Sequence, residues 1–155
     1  MRLTPTKRAD YAIRACVLLA TADRCPVPSR RIATGMGIPA TFLPAVLGDL
    51  QRAGLVEATS GKAGGYCLVR DAASISVLEL IEAVEGRVEE VRPGELRPGL
   101  DALAPAWEEA RSAFAHVLAS TTLAQVAHRW AETGREQGEP SGSPEGPAGP
   151  ERIPA

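Results

Sequence analysis

The stretch 59–70, TSGKAGGYCLVR, follows the short β-prone run LVEAT and contains a second one, YCLV. Two such runs joined by a short, Gly-bearing connection predict a β-hairpin. The segments on either side carry helical spacing instead. The fold must therefore place one hairpin, with three glycines and Lys62 near its tip, among helices.

Residues 7–22 have apolar side chains at 11, 12, 15, 18, 19 and 22, which predicts a first helix with one buried stripe. The prolines of DRCPVP end it. Ser29 is the expected N-cap of a short second helix, with Ile32, Ala33 and Met36 inward. GMGIP is turn chemistry. Thr41 is the expected cap of a third helix whose inner stripe is Leu43, Val46, Leu47 and Leu50, with Gly54 as its stop. Pro44 then falls in the first turn, where its missing N–H has no intrahelical partner to lose. After the hairpin, ISVLELIEAVEG predicts a fourth helix capped by Ser76 and stopped by Gly86. Residues 87–99 are polar and broken by two prolines. From Leu100, apolar residues at 100, 103, 107, 110, 114, 117 and 118 predict a long amphipathic helix, with a shorter one restarting after Thr121 or Thr122. The last 22 residues hold five Gly and five Pro and are expected to be disordered. The expected organisation is a domain over 1–86, a linker over 87–99, two helices over 100–133 and a tail over 134–155.

At 155 residues one core is expected. The net charge of −2 hides an asymmetry: residues 1–70 hold ten Lys/Arg against four acids, and residues 71–155 hold seven against fifteen. A basic front that meets an anion and an acidic rear that avoids it would produce this split. There is no apolar run of 18 residues and no signal-peptide pattern, so a cytoplasmic protein without a membrane span is expected. The three cysteines, Cys16, Cys25 and Cys67, are odd in number and irregularly spaced, which argues against a disulfide framework. No CxxC, HExxH, nucleophile motif or phosphate loop occurs, so no metal site, cofactor or catalytic residue is expected.

Helix, short helix, turn, helix and Gly-rich hairpin is the order of a winged helix-turn-helix. The fold class expected is mainly α, a winged helix-turn-helix domain with a two-stranded wing and a long C-terminal dimerisation helix. In this motif the third helix enters the major groove of double-stranded DNA, and the hairpin reaches the neighbouring backbone or minor groove. The outer face of that helix holds Thr41, Phe42, Pro44, Ala45, Gly48 and Arg52. Phe42 is either a thymine-methyl contact or a core aromatic at the helix start. Arg30 and Arg31 open the second helix, which crosses the DNA backbone, and one of them is expected on a phosphate. Lys62 supplies charge at the wing tip, where glycines would let the chain approach phosphates. The stripe Leu100, Leu103, Trp107, Ala110, Phe114 and Val117 either folds back on the core or meets a second copy, giving a two-fold homodimer for a two-fold site.

The pieces MRLT, ADYAIRA, IATGMGIP, FLPAVLGDLQRAGLVEA and GKAGGYCLVRDAASISVLELIEAVEG, in this order, resemble the Rrf2 family of bacterial transcriptional regulators over about residues 1–130. The resemblance implies a homodimeric repressor or activator and places DNA contacts at Arg2, Arg8, Thr41, Phe42, Pro44, Ala45, Ser60 and Lys62. Ser60 stands where well-known members have a wing arginine, and Pro44 where a polar base reader is common. Many members hold an iron–sulfur cluster through three cysteines in the loop that corresponds to 87–99. That loop has no cysteine here, and thiolates are the ligands such clusters need, so no cluster is expected. Asp10 resembles an acidic ligand of one branch, but one carboxylate does not hold a cluster. Control then falls to an unidentified effector or protein partner, or to oxidation of Cys67 in the wing strand. A winged helix that serves only protein interaction is the competing function class.

Overall fold

The computed structural model describes residues 4–86 and 101–136. Arg2, Leu100, the 87–99 linker and residues 137–155 lie outside them. Six helices and one hairpin follow in the order α1 (Lys7–Thr21), α2 (Ser29–Met36), α3 (Leu43–Arg52), β1 (Val56–Thr59), β2 (Gly65–Leu68), α4 (Val77–Glu85), α5 (Ala104–Ser120) and α6 (Leu123–Glu136). The expected element order is present, and α6 runs past residue 133.

Apolar periodicity decides which faces are inside. Ala12, Ala15 and Val17 of α1, Ile32 of α2, the stripe Leu43, Val46, Leu47 and Leu50 of α3, and Leu80 of α4 share one core. Full burial of a Leu or Ile is worth roughly 1.5–3 kcal/mol. This core is not confined to residues 1–86: Leu123 and Ala127 of α6 belong to it. The turn before α6 is also tied to the start of α4, because Val77 N–H donates to the Thr121 carbonyl and Leu123 N–H to that of Ile75.

The caps differ in detail from expectation. Ser76 caps α4 in a capping box with Glu79, as its sequence predicts. Ser29 is instead the first helical residue of α2, because Pro28 holds the cap position and its carbonyl accepts from Arg31 and Ile32. Thr41 lies in the preceding turn, and Phe42 occupies the cap position of α3 without a side-chain cap bond. Pro44 does fall in the first turn.

In the hairpin, Val56 pairs with Leu68, Glu57 with Cys67, Ala58 with Tyr66 and Thr59 with Gly65. Val27, in the α1–α2 connection, adds a bridge to Tyr66 through two backbone hydrogen bonds of 2.9 Å. This explains the glycine pair. A Cβ on Gly65 would stand 2.3 Å from the Val27 carbonyl oxygen, and one on Gly64 would stand 2.2 Å from that of Thr59. These two glycines therefore serve the packing of the hairpin.

The same bridge corrects the cysteine reading. Cys25 and Cys67 form a disulfide, with Cα atoms 5.6 Å apart, leaving Cys16 as the free thiol. Irregular spacing along the chain hid the pair, since the contact is made by the fold-back of residues 25–27 onto β2. Among the described residues, no helix is long and apolar enough to cross a membrane.

Candidate nucleic-acid interface

The exposed face of α3 and the turn that leads into it carry Thr41, Phe42, Pro44 and Ala45, all open to solvent. Phe42 is 59 % exposed and its ring lies 6.1 Å from that of Tyr11, so it is a surface aromatic and not a core one. Helix geometry produces this arrangement. With Leu43, Val46, Leu47 and Leu50 facing the core, the residues between them in phase must face out.

Two grooves flank this face. One of about 380 Å³ runs between α2 and α3, lined by Ser29, Arg30, Ala33, Thr34, Ala40, Leu43, Pro44, Leu47 and Tyr66. It brings Arg30 beside Pro44. The other, of about 270 Å³, lies between α1 and α3 and is lined by Lys7, Arg8, Tyr11, Phe42, Ala45 and Val46. It brings Arg8 beside Phe42 and Ala45. Arg31 is exposed on α2 outside both linings, and Ser60 and Lys62 are exposed on the hairpin tip.

Periodicity missed several residues. Asp49, in the buried half of α3, pairs with both Arg8 and Arg52. Lys7 and Tyr11 share a groove with Phe42, and the available signal was their place in the turn of α1 that holds Arg8. Arg14 pairs with Asp10, donates to the Met36 carbonyl at 3.1 Å and lies 5.7 Å over the Tyr11 ring. Its guanidinium is held above its ordinary pKa, chiefly by the hydrogen bond to Asp10. Asp10 is thus engaged within its own helix.

Helix α5 has no buried residue. Leu103, Trp107, Phe114 and Val117 are 55, 51, 44 and 59 % exposed, and Ala110 is exposed beside them. Its other side, through Glu108, Arg111, Ala115 and Leu118, is half-buried. One side of α5 thus folds back on the core, and the other stands open to solvent. Phe114 and Leu118 also line a cavity of about 470 Å³ with Thr4, Pro5, Thr6, Ala9, Ile13, Val77, Ile81 and Glu85.

A sequence profile described as Rrf2, iron-dependent transcriptional regulator, matches residues 5–129. An HTH-type transcriptional regulator of Mycobacterium tuberculosis is 36 % identical over 126 residues, which cover 77 % of this chain and 78 % of the relative. The HTH-type transcriptional regulator IscR of Escherichia coli is 39 % identical over 93 residues, covering 59 % of this chain and 56 % of IscR. Among solved structures, CymR, the global cysteine regulator of B. subtilis, superposes with a TM-score of 0.71 at 27 % identity, covering 83 % of this chain and 98 % of CymR. T. potens IscR superposes with a TM-score of 0.67 at 27 % identity, covering 90 % and 94 %. With a winged helix-turn-helix order, an exposed α3 face beside grooves that hold Arg30, Lys7 and Arg8, and this match over most of its length, the chain belongs to the Rrf2 family of DNA-binding transcriptional regulators, a family without enzymatic activity.

Proposed function

We propose that this protein is a cytoplasmic, homodimeric repressor that binds a two-fold operator and works without an iron–sulfur cluster. The observation that carries the reading is α5: a helix with no buried residue and a row of large apolar side chains needs a cover. A second copy supplies one by two-fold symmetry and brings a second α3 for the other half-site. On each half-site Thr41, Phe42, Pro44 and Ala45 face the major groove, Arg8, Arg30 and Arg31 face phosphates, and Ser60 and Lys62 carry the wing contact. Arg2, outside the described residues, joins the phosphate contacts.

The donor set of this chain does not fit a cluster. Cys16 is fully buried, and burial pushes its thiol up to about 12, far from the thiolate a cluster requires. Cys25 and Cys67 bind one another. The 87–99 segment contains neither Cys nor His.

Gel shifts with the protein's own upstream region, across a salt series and alongside a solution mass measurement, test the reading. A dimer should bind a duplex steeply weakened by salt, because phosphate contacts release counterions. A monomer refutes the two-fold dimer, and no shift at any salt refutes DNA binding and leaves the protein-interaction module in its place.

A second reading concerns the signal and is favoured by the Cys25–Cys67 pair. Oxidation of the two thiols, with two protons and two electrons passing to a hydroperoxide, would fasten the wing strand to the α1–α2 connection. Operator affinity should then differ between reduced and oxidised protein and stop differing in Cys25→Ser and in Cys67→Ser. Equal redox response in those variants rejects this control and leaves an effector or protein partner acting at α5.

A further inference from the structure

Asp49 is the one charged side chain buried among the described residues, at 5 % exposure. It sits on α3 in line with Phe42, Ala45 and Arg52, a spacing of three, four and three residues that keeps them on one side of the helix. Its two carboxylate oxygens have different partners. Oδ2 accepts from Arg8, in the first turn of α1, and Oδ1 accepts from Arg52, in the last turn of α3. Both arginines keep most of their surface in solvent, with side chains 51 % and 76 % exposed. One anion thus fixes two guanidiniums from two helices beside the exposed face of α3, and each guanidinium retains N–H donors that Asp49 does not use.

Helix packing alone does not call for this arrangement. Burying a carboxylate is costly, and an apolar residue among Leu43, Val46, Leu47 and Leu50 would fill the position without that cost. A single arginine would suffice to neutralise it. The second leaves the cluster with one excess positive charge and a fixed geometry, which suits a fixed polyanion.

We propose that Asp49 is a positioning residue for DNA recognition, holding Arg8 and Arg52 so that their free N–H groups meet backbone phosphates on either side of the α3 contact. The proposal rests on DNA binding by this face. It predicts that Asp49 raises affinity for DNA although its own charge repels DNA.

The test uses the full chain, the shortest genomic duplex it retains from fragmented genomic DNA, and a mixed-sequence duplex of equal length. Asp49→Asn should weaken the selected duplex about tenfold or more and lower its salt slope by about one. The mixed duplex should weaken by a similar factor, because phosphate contacts carry no sequence information. In an Arg8→Ala/Arg52→Ala background the same change should have no further effect. No loss on either duplex, a loss confined to the selected one, or an undiminished loss in the double-alanine background overturns the proposal. Arg8→Lys/Arg52→Lys keeps the fold's charge balance and gives an answer even where Asp49→Asn does not fold. It should weaken both duplexes, because lysine lacks the fixed fork that Asp49 holds towards phosphate, and undiminished binding of both overturns the proposal. A parent protein that binds no duplex at low salt removes the DNA-binding reading itself, whereas a binding parent with indifferent variants removes only the role of Asp49.

Discussion

At the scale of single residues, Gly48 is unusual in occupying mid-helix in α3 with nothing within 4 Å of where a Cβ would stand. A helical Gly costs about 1 kcal/mol relative to Ala. Gly48→Ala should therefore stabilise the protein by about that amount in urea unfolding. The added methyl enlarges the side of α3 assigned to DNA, so operator affinity should fall in the same variant. Cys16 provides a second check. With its thiol buried and its pKa raised to about 12, it should resist alkylation in the native protein at pH 8. Mass spectrometry should count no labelled cysteine in the oxidised native protein, two after reduction and three after reduction and unfolding. Much of this scale was legible in the sequence, since apolar spacing identified the buried half of α3 and hence the exposed half. Asp49 escaped because periodicity scores an acid as outward, and its burial depends on Arg8 arriving from another helix.

At the scale of elements, α4 shows how a helix end responds to pH. Burial works to raise the Glu79 pKa, but Ser76 N–H, Arg70 and the Ser76 hydroxyl together hold it below its ordinary value. A carboxylate with a lowered folded pKa stabilises above its ordinary value of 4.5 and loses that contribution as the pH falls below it. Ser76→Ala should cost about 1 kcal/mol at neutral pH. It should also flatten the acid limb of a stability-versus-pH curve from thermal melts, because Glu79 then loses a partner. A curve that keeps its shape would show that the capping box does not set this pH dependence. Ser76, Gly54 and Gly86 were readable because a cap or stop leaves a local signature. Ser29 and Thr41 were misplaced by about one residue each, since Pro28 and the Ala40–Phe42 turn define those helix starts by backbone geometry that propensity does not encode.

At the scale of the whole molecule, the proposed pairing of two copies through α5 makes a sharp prediction. Trp107→Glu with Phe114→Glu should yield a folded monomer by light scattering, because both side chains are already about half exposed on one chain. Its operator affinity should collapse and its salt slope roughly halve, as one head replaces two. The chain's global order was legible, namely three helices, a wing and a long apolar stripe. The Cys25–Cys67 bond and the place of α6 in the core were not, since both join segments far apart in sequence and no local pattern marks such a meeting. The insertion of Leu123 and Ala127 beneath α1 has a practical consequence for anyone grafting this reading head onto another protein. A fragment trimmed at Gly86 would carry an open socket where those two side chains belong, so a portable unit must keep the 121–127 segment as its plug.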